Sequence, residues 1–99
     1  GMSEITLRLS GEDGTETRTL NPEEASLVCR PTTIELLRTI AREDPSSIRE
    51  TARLVDRDVR QVHDNLWTLG GEGLVEFERD GRSRRPVVDY DEIELEIGL

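Results

Sequence analysis

The chain has 99 residues, of which 33% are hydrophobic and 3% aromatic, and a formal net charge of -9 at pH 7. A chain of this length buries only roughly 60–70% of the surface it exposes when unfolded, so one small domain over residues 3–99 with a thin core is expected. No run of 18 apolar residues and no basic-then-apolar leader occurs, which argues against a membrane or secreted protein and for a cytoplasmic one.

Gly1 ahead of Met2 reads as a remnant of tag removal. The single cysteine, Cys29, excludes an internal disulfide and is expected to be a small buried helix residue. All 13 basic residues are arginine, against 22 acids. That balance suits a halophilic, archaeal cytoplasm, where a hydrated acidic surface maintains solubility. The acids are unevenly spread: residues 1–29 carry net -4, 30–48 and 49–86 carry net 0, and 87–99 carry net -5. Within the balanced middle, "RDGRSRRP" (79–86) alone is net +3.

In chain order, Ile5, Leu7 and Leu9 alternate with Thr6, Arg8 and Ser10, the period of a one-faced strand. "GEDG" (11–14) is turn chemistry and "TETRTL" (15–20) returns, so residues 3–20 predict an N-terminal hairpin. Four helix starts share the capping-box pattern, in which the cap and the third helical residue satisfy each other's backbone amides. They are Asn21/Glu24, Thr32/Glu35, Ser47/Glu50 and Asp58/Gln61. The first helix, about 22–29, ends at Arg30-Pro31 because the residue before proline leaves the α region. The second, about 33–43, turns Ile34, Leu37, Ile40 and Ala41 inward, and the third, about 48–55, turns in Ile48, Ala52 and Val55. After a turn at Asp56-Arg57, a fourth helix over 59–70 carries Val59, Val62, Leu66 and Leu69 on one stripe. Gly70-Gly71 favour an end one turn early, and Gly73 is a plausible stop. A hairpin over 75–88 follows, beginning at "LVEFE" and turning through Asp80-Gly81. Ile93, Leu95 and Ile97 then alternate with glutamates in a last strand, 91–97.

A short helix, tight turn, longer helix and hairpin is the arrangement of a winged helix-turn-helix, in which the second helix enters the major groove. "SIRETARLVDRDVRQVHDNL", "GEGLVEFERDGR" and "VVDYDEIELEI" resemble archaeal winged-helix regulators related to the MarR and ArsR groups. The fold class expected is therefore α+β: a winged-helix core (32–90) with an added N-terminal hairpin and helix and a C-terminal strand. The resemblance implies a regulator that binds double-stranded operator DNA as a homodimer. Two features depart from it: Asp56 stands where the turn favours glycine, and Asp64 where such helices often carry a basic residue.

On the fourth helix, Arg60, Gln61, Asp64 and Thr68 face away from the apolar stripe, with His63 and Trp67 on its flank. Arg60 suits guanine O6 and N7, Gln61 adenine N6 and N7, and Asp64 cytosine N4. Arg57 would reach phosphate, and Arg79, Arg82, Arg84 and Arg85 would reach backbone or minor groove. Blander roles compete: Arg60 paired with Asp64, Gln61 as a cap partner, His63 as a boundary side chain, and the hairpin arginines balancing Glu76 and Glu78. Trp67 is expected to cover a core edge or a subunit seam. The strands of Ile5/Leu7/Leu9 and Ile93/Leu95/Ile97 are expected to pair with one another across that seam. One histidine, one cysteine and no glycine-rich phosphate loop support no enzyme, cofactor or metal reading. The alternative function is a winged-helix module that binds protein through its acidic terminal strands.

Overall fold

A computed structural model of the chain describes residues 3–99, with Asp80 described in its backbone only, so the expectation for Gly1 lies outside the described residues. Among these residues the chain is α+β: strands β1 (Ile5–Gly11) and β2 (Gly14–Leu20), helices α1 (Pro22–Cys29), α2 (Pro31–Glu43), α3 (Ile48–Val55) and α4 (Val59–Gly71), then strands β3 (Glu76–Asp80), β4 (Ser83–Val87) and β5 (Glu92–Ile97). None of the helices is long and apolar enough to cross a membrane. Contacts divide the chain into two units, one of Gly1–Arg30 with Asp89–Leu99, the other Pro31–Val88.

The first unit is built on a three-stranded antiparallel sheet in the order β2-β1-β5. β1 pairs with β5 within one chain, setting Ile5 against Ile97, Leu7 against Leu95 and Leu9 against Ile93. This corrects the expectation that these strands meet across a subunit seam: they pair with one another inside one chain, with Ile93 and Leu95 half-buried and Ile97 exposed. On the other side, Leu7 faces Arg18 and Leu9 faces Glu16. Because opposed residues share a sheet face, Glu16, Arg18 and Leu20 lie on the apolar face, while the threonines of β2 lie on the face with Arg8 and the β5 glutamates. Leu7 and Leu9 are buried. α1 begins with a complete capping box: Asn21 Oδ1 accepts from the Glu24 amide at 2.8 Å and Glu24 Oε1 from the Asn21 amide at 2.9 Å. It buries Ala25 and Val28, but Cys29 is exposed, against expectation, because it occupies the last helical position, where the chain already turns away at the extended Arg30.

The second unit opens differently from the sequence expectation. α2 starts at Pro31, not Thr33, because proline at the first helical position loses no needed hydrogen bond and already has helical φ. Thr32 therefore lies inside the helix and is no cap. The buried stripe also shifts, to Thr33, Leu36, Leu37 and Ile40, leaving Ile34 39% exposed and Ala41 at the surface. α3 is capped by Ser47, whose Oγ accepts from the Glu50 amide at 3.0 Å; Glu50 in turn accepts from Ser46 N–H at 2.9 Å instead of completing the box. Thr51, fully buried, donates its hydroxyl to the Ser47 carbonyl at 2.8 Å. Asp56 ends α3 in the left-handed conformation, φ 55 and ψ 50, with the Arg57 amide bonded to the Ala52 carbonyl and that of Asp56 to Arg53. That is the Schellman arrangement with aspartate where glycine is usual, tolerated because a short polar side chain penalises this conformation least.

α4 buries Val62, Leu66 and Leu69 and runs on through both glycines, so it does not end early. Its stop is a second Schellman motif: Gly73, φ 71, donates to the Gly70 carbonyl and Leu74 to the Leu69 carbonyl. Leu74 is thereby held in the cap, which is why β3 begins at Glu76 and not at Leu74. Leu74 and Val75 are buried before the strand starts. Asp80 pairs with Ser83, so the hairpin turns through Gly81-Arg82, one residue later than expected. Gly81, φ 64, supplies the positive φ that a two-residue loop needs at its first central position.

The two helix glycines have opposite environments. A Cβ on Gly70 would lie 2.7 Å from the Phe77 ring, whereas one on Gly71 would meet nothing within 4 Å. Helix propensity alone favours alanine at both by about 1 kcal/mol. Gly71→Ala should therefore stabilise the protein by about 0.5–1 kcal/mol, while Gly70→Ala should destabilise it by about 1–2 kcal/mol through overpacking. Equilibrium denaturation of the two variants checks the sign at each position.

Tyr90, in the first unit, has its phenol pKa raised by burial to about 12, an effect that nearby Arg18 partly opposes. Its proton is held more tightly in the folded than in the unfolded chain, where the pKa is about 10. Stability from this group is complete below about pH 10 and falls as pH rises toward about 12, because the unfolded chain ionises first. With no lysine and one tyrosine in the sequence, little else titrates there. Tyr90→Phe should flatten this alkaline loss, of order 1 kcal/mol for a partly exposed group, and parallel pH profiles would contradict the assignment.

Candidate nucleic-acid interface

All the residues singled out for DNA contact fall within the second unit, on α4, the turn before it and the β3–β4 hairpin. The Asp58 side chain caps α4, accepting from the Gln61 amide at 3.2 Å. The expected reciprocal bond is missing because the Gln61 side chain turns the other way, its Oε1 accepting from Arg57 Nε at 3.3 Å. Arg57 also donates to Asn65 Oδ1, and its Nη1 lies 3.5 Å from Glu35 of α2, an ion-pair distance without a hydrogen bond. With only 17% of its side chain exposed, Arg57 braces α4 against α2. Arg57 is thus a brace where a phosphate contact is expected from the sequence, and its partner Asn65 is not among the expected site residues. The spacing of Arg57, Gln61 and Asn65, four residues apart each time, was the available signal for one helix-face ladder.

Arg60, Gln61, His63, Asp64 and Thr68 are exposed, as the helical period predicts. Arg60 and Asp64 form no ion pair among the described residues; Asp64 instead lies 3.2 Å from His63 Nδ1. His63 stacks on Trp67, with ring centroids 5.3 Å apart and planes 13° from parallel. Trp67 also meets Phe77 of β3 at 5.3 Å, and the guanidinium of Arg84 of β4 stands 5.0 Å from its ring centre. Trp67 is 48% exposed, so about half of its surface faces solvent. It forms a surface bracket between helix and hairpin. Gly70, one turn further along α4, leaves the room that Phe77 needs beside the helix.

The four hairpin arginines separate into two kinds. Arg85 donates to Glu78 at 2.6 Å and to Asp44, and these carboxylates, Glu78 first, raise its pKa above the ordinary arginine value. Arg84 is held by Trp67. Arg79 and Arg82 are exposed and make no ion pair among the described residues. Of the arginines singled out for DNA contact, those available to a polyanion are thus Arg60, Arg79 and Arg82, with Arg57, Arg84 and Arg85 fixing the surface that carries them. Charge follows the same division. The second unit holds eleven acids and ten arginines, net -1, and the first eleven acids and three arginines, net -8.

No curated protein matches the chain significantly. The model of the HVO_A0114 family matches residues 28–95, from the end of α1 through the helices and the β3–β4 hairpin into β5. That match covers more than half of the 99 residues, and the chain belongs to the HVO_A0114 family.

Proposed function

We propose that the protein is a sequence-specific DNA-binding transcriptional regulator of the winged helix-turn-helix kind, similar to the MarR and ArsR groups. α4 acts as the recognition helix in the major groove and β3–β4 as the wing on backbone or minor groove. The observation that carries this reading is the bracketing of α4 to the hairpin by Trp67, Phe77 and Arg84, beside an α4 face that exposes Arg60, Gln61 and Asp64. A wing fixed to its helix presents base-reading and backbone-contacting groups in one geometry, so less order is lost on binding. The tight, capped turn at Asp56 supports the reading by fixing how α3 braces α4. The near-neutral charge of the second unit supports it too, since the net negative charge resides in the other unit. The reading includes a homodimer, the form in which such helices meet two-fold operators.

In this account Arg60 reads guanine and Gln61 adenine, the latter by exchanging its weak bond to Arg57 for the base. Arg79 and Arg82 supply wing contacts to phosphate. Once a bound sequence is selected, Arg60→Ala and Gln61→Ala should each weaken specific binding by roughly 1–3 kcal/mol with nearly unchanged melting temperature. Arg57→Ala should lower both, because its side chain is a strut. A collapse in stability for Arg60→Ala would mean the wrong helix face has been assigned.

Salt gives a second test. Binding to DNA ordinarily weakens with salt because condensed counterions are released. Here the -8 unit repels DNA over long range, and at about 1 M salt the screening length falls to roughly 3 Å. Stability and specific binding should persist or improve from about 0.1 M toward about 1 M KCl. Steeply falling affinity over that range would contradict the halophilic reading.

A further inference from the structure

Among the described residues the three-stranded sheet has two open edges, β2 and β5, and they differ in what they can accept. An open edge presents unpaired backbone donors and acceptors to any strand of suitable sequence. β5 carries Glu92, Glu94 and Glu96 on one face, all exposed. Antiparallel pairing of β5 with its own copy sets either glutamate against glutamate or glutamate against Ile and Leu. Both are unfavourable.

β2 behaves in the opposite way. Its seven residues, Gly14–Leu20, read G-T-E-T-R-T-L and are mostly exposed. Antiparallel pairing centred on Thr17 overlaps the whole strand with its copy. It sets Glu16 against Arg18 of the second copy twice over, on one face, and Thr15 against Thr19 and Thr17 against Thr17 on the other. Opposite-charge and threonine pairs are the favourable cross-strand combinations. Sliding the centre to Glu16 or Arg18 opposes like charges, so full overlap and charge matching select the same register. Glu16 and Arg18 already attract one another along the strand, with Arg18 Nε 2.5 Å from Glu16 Oε2, and the second copy would extend this pair into a four-charge network.

We propose that the β2 edge is the docking surface for a second copy of this chain, joining two three-stranded sheets into one of six strands about a two-fold axis through Thr17. The proposal deepens the homodimer part of the proposed function and uses no residue of α4 or the hairpin. The partner's β2 contributes the charges that complete the network, and the β5 glutamates leave the outer edges of the enlarged sheet hostile to further copies.

Light scattering and sedimentation of the DNA-free protein, at several KCl concentrations up to about 1 M to screen the net repulsion, test this. The expected wild type is a dimer. Glu16→Arg alone and Arg18→Glu alone oppose like charges and should weaken dimerisation by about tenfold or more. The double variant restores opposite charges and should dimerise again, and so should an equimolar mixture of the two single variants. Circular dichroism establishes that each variant is folded, and only folded variants are compared. A monomeric wild type overturns both this interface and the homodimer reading. A dimeric wild type whose folded single variants dimerise equally well, or whose mixture and double variant fail to recover, overturns the β2 interface alone. DNA binding is measured separately and stands or falls independently.

Discussion

The second unit depends on a close approach between a helix and a strand. Gly70 leaves a space beside α4 that a single methyl group would fill, and the Phe77 ring of β3 occupies it. Once Phe77 is seated, β3 is fixed, and its pairing with β4 sets Arg84 near Trp67 and Arg85 near Asp44. A glycine that costs the helix about 1 kcal/mol in propensity therefore determines where the hairpin arginines stand. The Schellman stop at Gly73 completes the device by turning the chain directly into the strand.

Charge is arranged so that fold and proposed function do not compete. The sheet-bearing unit carries almost the whole excess of acid, while the helices and hairpin are near neutrality. Within the second unit the arginines that face carboxylates or rings are braces: Arg57 on Glu35 and Asn65, Arg84 on Trp67, Arg85 on Glu78 and Asp44. On the α4 face and the hairpin, those facing solvent without a carboxylate or ring partner among the described residues are Arg60, Arg79 and Arg82. Recognition through so small a set, as proposed, requires that each be held in place. The braces supply that rigidity, and a salt-rich solvent would make the short contacts count for more than the long-range field.

The elements themselves were largely legible in the sequence, because period-2 alternation, period-3.6 stripes and capping residues are local signals. α1 and α3 have the expected bounds, β5 starts one residue inside its expected range, and α4 exposes the expected face. Errors arose where one local signal overrode another. At Pro31 a helix-starting proline displaced the Thr32 cap, and the buried stripe of α2 moved with it. At Gly70 a residue read as a helix breaker is an accommodation for a ring seven positions away, a tertiary fact with no local trace. The candidate site was legible as a list of exposed side chains but not as a division of labour. Arginines look alike in sequence; whether one meets a carboxylate, an indole or solvent depends on pairings such as Arg84 with Trp67 that only the folded hairpin creates. The partner of the Ile5/Leu7/Leu9 strand was legible too, but not that it belongs to the same chain.

In the proposed function the α4 face and the β3–β4 hairpin together read a DNA sequence. This is tested most directly by selecting bound duplexes from a random-sequence pool with the full chain, at KCl concentrations up to about 1 M. Convergence on a discrete motif that is lost when Arg60, Arg79 and Arg82 are replaced together, in a protein that remains folded, is the result this account predicts. A pool that shows no enrichment at any salt concentration, or the same enrichment for the triple variant, would contradict it.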